Sequence, residues 1–161
     1  MPAILLVAIN AKWIHPSLAL RLLKANLGDL EKDCEIFEFA LRQPLKEKIE
    51  PIITARPRLL GISVSIWNHL ATLELLKALG EKWEAGQEAA QKPVVVLGGP
   101  EASWLGKDAE IFRYADYVIR GEGEDCFRAL CKMVFSGDRA EWDSIAKSKG
   151  HPVFISLALN A

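Results

Sequence analysis

Val94-Val95-Val96-Leu97-Gly98-Gly99-Pro100-Glu101 is an apolar run of four residues that stops at two glycines and a proline. Such a run reads as a short strand buried on both faces, and the glycines as the turn at its carboxyl end. The same form recurs three times. Ile4 to Ile9 leads into Asn10-Ala11-Lys12-Trp13-Ile14-His15-Pro16, Leu59-Leu60-Gly61-Ile62 into Ser63-Val64-Ser65-Ile66-Trp67-Asn68, and Tyr117-Val118-Ile119 into Gly121-Glu122-Gly123-Glu124. In a parallel sheet all four loops leave from one edge, the edge where open α/β folds bind ligands.

Amphipathic stretches separate the apolar runs. Strands are expected near residues 3–9, 34–39, 59–64, 93–98 and 116–120, and helices near 17–27, 45–55, 69–84, 104–114 and 123–136. Leu18, Leu22, Leu23 and Leu27 form a helical stripe with Gly28 placed to cap it. Leu70, Leu73, Leu76 and Trp83 form another, with Asn68 as its N-cap. Pro44, Pro51 and Pro57 argue against an unbroken second helix. Alternation of this kind implies a parallel sheet covered by helices on both faces, and right-handed crossovers leave few topologies. The fold class is therefore α/β, a flavodoxin-like (Rossmann-like) doubly wound parallel sheet of five strands in the order 2-1-3-4-5. Its switch point sets the Asn10 loop beside the Ser63 loop, with the Gly98 loop next to them.

Composition narrows the function. The chain has 161 residues, enough for one domain with a real core. A net charge of −1 provides no basic footprint for nucleic acid, and no apolar stretch is long enough to span a membrane. Cys34, Cys126 and Cys131 are odd in number and poorly spaced for zinc, so they read as small buried hydrophobes in a reducing, cytoplasmic setting. Residues 1–140 form the expected domain. Residues 141–161 are a linker or edge segment: the apolar tail His151 to Leu159 is either a sixth edge strand or, the favoured reading, the start of a larger unit.

The loops carry polar groups with two readings each. Gly98 and Gly99 remove side chains where a ligand or another backbone comes close, or simply make a tight turn. Ser63 and Ser65 have hydroxyls suited to a ligand nitrogen or to a neighbouring main-chain group. Trp13, Trp67 and Trp104 pack on a broad flat ligand, on a second domain or on the body itself. Glu122 and Glu124 accept hydrogen bonds from a ligand or complement the dipole of the last helix. No Gly-x-Gly-x-x-Gly follows the first strand and no Gly-x-x-x-x-Gly-Lys-Ser/Thr occurs, so a dinucleotide or simple phosphate cradle is unsupported. The scarcity of aspartates in these loops argues against a receiver domain. No nucleophile–base pair stands out, and neither a catalytic residue nor a metal ligand is assigned.

Together the stretches Asn10 to Ser17, Gly61 to Asn68, Gly98-Gly99-Pro100-Glu101 and Gly121-Glu122-Gly123-Glu124 resemble the N-terminal cobalamin-binding domain of cobalamin-dependent radical S-adenosylmethionine enzymes, over about residues 3 to 136. The resemblance implies a corrin across the carboxyl ends of the strands and a nucleotide tail beside the sheet. Ser63 and Ser65 would line the tail pocket, and Gly98 and Gly99 would leave room for it. The implied cofactor-binding set is Asn10, Lys12, Trp13, Ile14, His15, Ser63, Val64, Ser65, Trp67, Asn68, Gly98, Gly99, Pro100, Glu101, Gly121, Glu122, Gly123 and Glu124. The Asp-x-His-x-x-Gly motif of cobalamin mutases reads Asn10-Ala11-Lys12-Trp13-Ile14-His15 here, so cobalt ligation by this chain is not expected. The Cys-x-x-x-Cys-x-x-Cys site for an iron–sulfur cluster is missing. The resemblance therefore implies a binding module, with the 4Fe-4S cluster and S-adenosylmethionine held by a C-terminal catalytic domain of a longer chain that performs methyl transfer or radical rearrangement. The alternatives are a flavodoxin-like flavin-binding domain and a cofactor-free partner-binding domain.

Overall fold

The computed structural model describes residues 1–12, 15–86, 91–146 and 153–155. The order of elements is β1 (Ile4–Asn10), α1 (Leu18–Ala25), β2 (Cys34–Ala40), α2 (Leu45–Ala55), β3 (Leu59–Ser63), α3 (His69–Glu84), β4 (Val94–Gly98), α4 (Pro100–Trp104), β5 (Tyr117–Ile119), α5 (Glu124–Ser136), α6 (Ala140–Ala146) and β6 (Val153–Ile155). Five strands are parallel in the order 2-1-3-4-5. β6 adds a sixth, antiparallel to β5.

Strand alternation divides the core in two. Leu5, Val7 and Ile9 of β1, Leu60 and Ile62 of β3, and Val95 and Leu97 of β4 face α2 and α3. Ile4, Leu6 and Ala8, Leu59 and Val96 face α1 and α5. Both faces of the sheet are covered by helices, which is why the strands read as continuous apolar runs rather than alternating ones.

Several local expectations are corrected. α2 runs unbroken through Pro51. The hydrogen bond that Pro51 forfeits would reach the carbonyl of Glu47, and both residues are exposed, so water replaces it. The single helix expected over 104–114 is instead α4 and a 3-10 turn at Glu110–Tyr114. On α1 the buried residue is Leu20, while Leu18 and Leu22 are 69% and 48% exposed. Asn26, not Gly28, caps its end. On α3, Leu75, Leu76 and Leu79 are buried and Leu70 is exposed.

After α5 the chain folds back onto the domain. Trp142 of α6 is buried and meets Tyr117 edge-on with ring centroids 5.8 Å apart. Glu141 accepts from Arg128 (3.0 Å) and Lys132 of α5. All three cysteines are buried and free. Burial pushes the Cys34 thiol up to about 11 and raises Cys131 further. Among the described residues no helix is long and apolar enough to cross a membrane.

Candidate functional site

Parallel registry stacks residues into rows across the sheet. At the carboxyl edge, on the side facing α1 and α5, Ala8 lies beside Ser63 and Ser63 beside Gly98. The row beneath is Leu6, Gly61 and Val96. Small side chains at Ser63, Gly98 and Gly61 keep α1 and α5 from closing on the sheet. The result is a cavity of about 780 Å³ between Leu20 and Leu23 of α1 and Phe127 of α5, with exposed Trp104, Gly121 and Glu122 at its rim.

Each small residue has its own reason. A Cβ at Gly61 would come within 2.8 Å of Leu6 Cδ2 and 3.4 Å of the Phe127 ring, filling the floor. A Cβ at Gly98 would meet only the Ile119 carbonyl at 3.6 Å, an ordinary contact, so the space above Gly98 belongs to the cavity. The Ser63 hydroxyl makes no hydrogen bond among the described residues.

Gly99 lines the cavity too, but its bareness answers to the chain itself. Its φ is +101°, and a Cβ would lie 2.6 Å from the Val64 carbonyl oxygen and 2.9 Å from Val64 N. The Val64 N–H donates to Gly98 O (2.7 Å), and the Glu101 N–H donates to Val64 O (3.0 Å). Two loops are thus laced together with no room for a side chain. Ser103, which sequence reasoning did not single out, holds a third. Its hydroxyl donates to Gly99 O (3.1 Å) and accepts from Gly121 N–H (2.9 Å). The legible signal was spacing: four residues after Gly99, on a helix, a serine faces that carbonyl.

The other expected residues divide cleanly. Pro100, Gly121, Glu122, Gly123 and Glu124 line the cavity with Ser63, Gly98 and Gly99. Trp104, one of the three tryptophans offered to a broad flat ligand, lines it as well; Leu6, Gly61, Ser103, Arg120 and Phe127 also line it and were missed. Their signal lay in registry, which one strand read alone does not carry. Ser65 is buried outside the cavity, because the chain turns after Ser63 and its N–H bonds Asn68 Oδ1 at 2.8 Å. Asn68 occupies the N-cap position but makes no side-chain bond to the helix N–H groups. Its amide instead donates to Ile9 O (2.9 Å) and Ser63 O (3.3 Å), clipping β1 to β3. Glu101 turns to His69, 3.3 Å away.

Asn10 donates to Glu38 Oε1 (3.1 Å) and so serves the start of α1, since Glu38 also accepts from the Ser17 N–H and from Arg21 (2.8 Å). Partial burial alone would raise the Glu38 carboxyl, but the hydrogen bonds from Arg21, Ser17 and Asn10 outweigh it and hold it below the usual range. Lys12 and His15 are exposed in the same loop. Trp13 and Ile14 lie outside the described residues. Helices begin where parallel strands end, so exposed Leu18 and Leu70 flank the edge that also carries Ile66, Trp67 and Trp104. Ile66 is 78% exposed and Trp104 89%, an apolar rim on an otherwise polar surface. Among the described residues no group of three histidines, cysteines or carboxylates is placed to hold a metal ion.

The family model of the B12 binding domain matches residues 4–131. Among solved structures, the radical S-adenosylmethionine methyltransferase TsrM from Kitasatospora setae superposes with a TM-score of 0.61 at 19% identity, over 85% of this chain and 26% of its own. The cobalamin-dependent S-adenosylmethionine radical enzyme OxsB does so with 0.56 at 18%, over 83% and 19%. A cobalamin-binding protein from Desulfitobacterium hafniense DCB-2 does so with 0.54 at 15%, over 83% and 59%. At these identities the likeness is one of fold, and the chain spans less than two thirds of each of these proteins. No curated protein is similar to the chain at a significant level.

Proposed function

This chain belongs to the B12-binding domain family, and we propose that it holds cobalamin with the nucleotide tail in the cavity between α1 and α5 and the corrin over the apolar rim. One observation carries the reading: the small-residue row Ala8, Ser63 and Gly98, set above Leu6, Gly61 and Val96, opens a deep slot on the side of the sheet that faces α1 and α5. A flavin held at the loops alone would not need that slot.

The residues present suit the group. Gly98 leaves space where any side chain would intrude, and Ser63 offers a hydroxyl with no hydrogen-bond partner among the described residues. Gly121 and Glu122 at the rim offer a main-chain carbonyl and a carboxylate to the neutral amides of a corrin. A net charge of −1 fits a ligand whose rim is mostly neutral amides and whose tail carries a single phosphate. In this reading Lys12 would stand near the corrin without a bond to cobalt, and His15 is the only candidate ligand in that loop.

The chemistry such a cofactor supplies is methyl transfer or radical rearrangement. In our reading this chain binds and presents it, and a separate domain of a longer cytoplasmic protein holds a 4Fe-4S cluster and S-adenosylmethionine. Ile66, Trp67 and Trp104 then cover the corrin edge or meet the catalytic domain.

The test is a titration of the purified chain with hydroxocobalamin, followed by gel filtration and visible absorbance. Near-stoichiometric co-elution of the corrin supports the reading. Loss of all corrin on the column, from both this chain and one extended past Ala161, refutes it.

A further inference from the structure

Both ends of the loop between β1 and α1 are held by one side chain from a third element. Glu38, on β2, accepts from the Asn10 amide (3.1 Å) and from the Ser17 N–H on the same oxygen, Oε1. Asn10 is the last residue of β1 and Ser17 the N-cap of α1. Two donors on one oxygen stand close together, so the residues between them project as a pinched loop. Arg21 of α1 completes the clamp. It donates to Glu38 Oε2 (2.8 Å) and to Ser17 O (2.9 Å), and it is the charged group that faces Glu38.

The clamp acts closely on His15. Pro16 joins His15 to Ser17, and a proline holds its own φ and keeps the residue before it extended. The backbone of His15 therefore follows Ser17. Direction comes from the sheet. β2 pairs with β1 on the side away from β3, with Glu38 beside Ala8. The Ser63–Gly98 row and the cavity lie on the other side, over β3 and β4. Glu38 thus draws the His15 end of the loop away from the slot.

We propose that Glu38 is a positioning residue that withholds His15, keeping this exposed imidazole towards β2 and off the cobalt of a bound corrinoid. An imidazole free to approach is a good ligand for such a metal, so its restraint needs a cause. The inference rests on the corrin placement given above and goes beyond it, because it assigns the control of cobalt coordination to a side chain outside the cavity.

The experiment reads the visible bands of hydroxocobalamin bound to the parent chain, His15→Ala, Glu38→Ala, Glu38→Gln and the double variant Glu38→Ala with His15→Ala. The parent and His15→Ala are expected to share one spectrum. Glu38→Ala is expected to shift the bands towards those of an imidazole-bound cobalt, and the double variant to return them to the parent positions. Glu38→Gln keeps the oxygen that Asn10 and Ser17 share and is expected to keep the parent spectrum. A purely structural role would lower Tm in Glu38→Ala without making the spectrum depend on His15. If Glu38→Ala does not fold, Asn10→Ala, which frees the β1 end alone, is expected to show the same His15-dependent shift in a smaller fraction of the cobalt. A parent spectrum that changes in His15→Ala overturns the inference. So does a freed loop with the parent spectrum, or a shift that persists in the double variant. In each of these cases corrin binding itself still stands. Binding of hydroxocobalamin by none of the chains refutes the cobalamin reading, and the role of Glu38 with it.

Discussion

Gly98 and Gly99 are adjacent, yet they should fail in opposite ways. At Gly99 the φ of +101° is a conformation that side chains rarely adopt, and a Cβ would sit 2.6 Å from one backbone atom of Val64 and 2.9 Å from another. Moving Val64 strains its N–H bond to Gly98 O and its carbonyl bond to the Glu101 N–H. Backbone strain of about 1–3 kcal/mol and one weakened hydrogen bond of about 1 kcal/mol put Gly99→Ala at roughly 2–4 kcal/mol of lost stability. For a chain of this length that lowers Tm by roughly 4–16 °C. At Gly98 the only neighbour of a Cβ is the Ile119 carbonyl at 3.6 Å, and the φ lies outside the left-handed region. Gly98→Leu should therefore leave Tm within about 3 °C of the parent, consistent with a change under about 1 kcal/mol. Its side chain enters the cavity, and overpacking of about 1–3 kcal/mol corresponds to corrin binding weaker by roughly 5- to 150-fold. The assays are a thermal melt by circular dichroism and a hydroxocobalamin titration on both variants. Parent-like affinity in Gly98→Leu would refute the placement of the tail. Parent-like stability in Gly99→Ala would refute the account of the Val64 contact.

Asn68→Ala should cost about 3 kcal/mol in urea unfolding, because the Ser65 N–H and the Ile9 and Ser63 carbonyls lose their partner where little water reaches. Ser63→Ala should leave stability unchanged and weaken corrin binding roughly threefold to tenfold by titration, as expected for one hydroxyl. Glu38 is held below its ordinary pKa in the folded chain, so its contribution is complete above that ordinary value of 4.5 and fades as pH falls through the lowered one. Urea midpoints measured between pH 7 and pH 3 should fall less in Glu38→Gln than in the parent, and an equal fall would contradict the network. Cys34 and Cys131, buried with thiols raised by that burial, should resist a thiol reagent at pH 8 until denaturant is added.

The fold was largely legible because both sheet faces are covered. A strand sealed on two sides must be apolar throughout, so each run announced itself, and the loops after the runs announced the shared edge. The errors came from one-dimensional signals with two causes. Leu18 and Leu22 fit a helical stripe as well as Leu20 does, but the direction of the sheet beneath decides which side is buried. Pro51 breaks a helix only if its missing bond matters, and on an exposed turn it does not. Ser63 and Ser65 look equivalent at a spacing of two, and the turn after β3 separates them.

The sequence by itself determined the parallel sheet, its order and the edge at which polar groups gather, because hydrophobic periodicity and connection length are local properties of the chain. Only the tertiary structure decided where the cavity lies. The slot exists because Ser63 and Gly98, 35 positions apart in the numbering, share one row of the ladder with Ala8, and because Gly61 lies between Leu6 and Val96 in the next. Registry between strands is set by how whole layers pack, so no single segment contains it. The same holds for the two glycines: the chain spells them alike, and only the approach of Val64 to one of them makes their roles different.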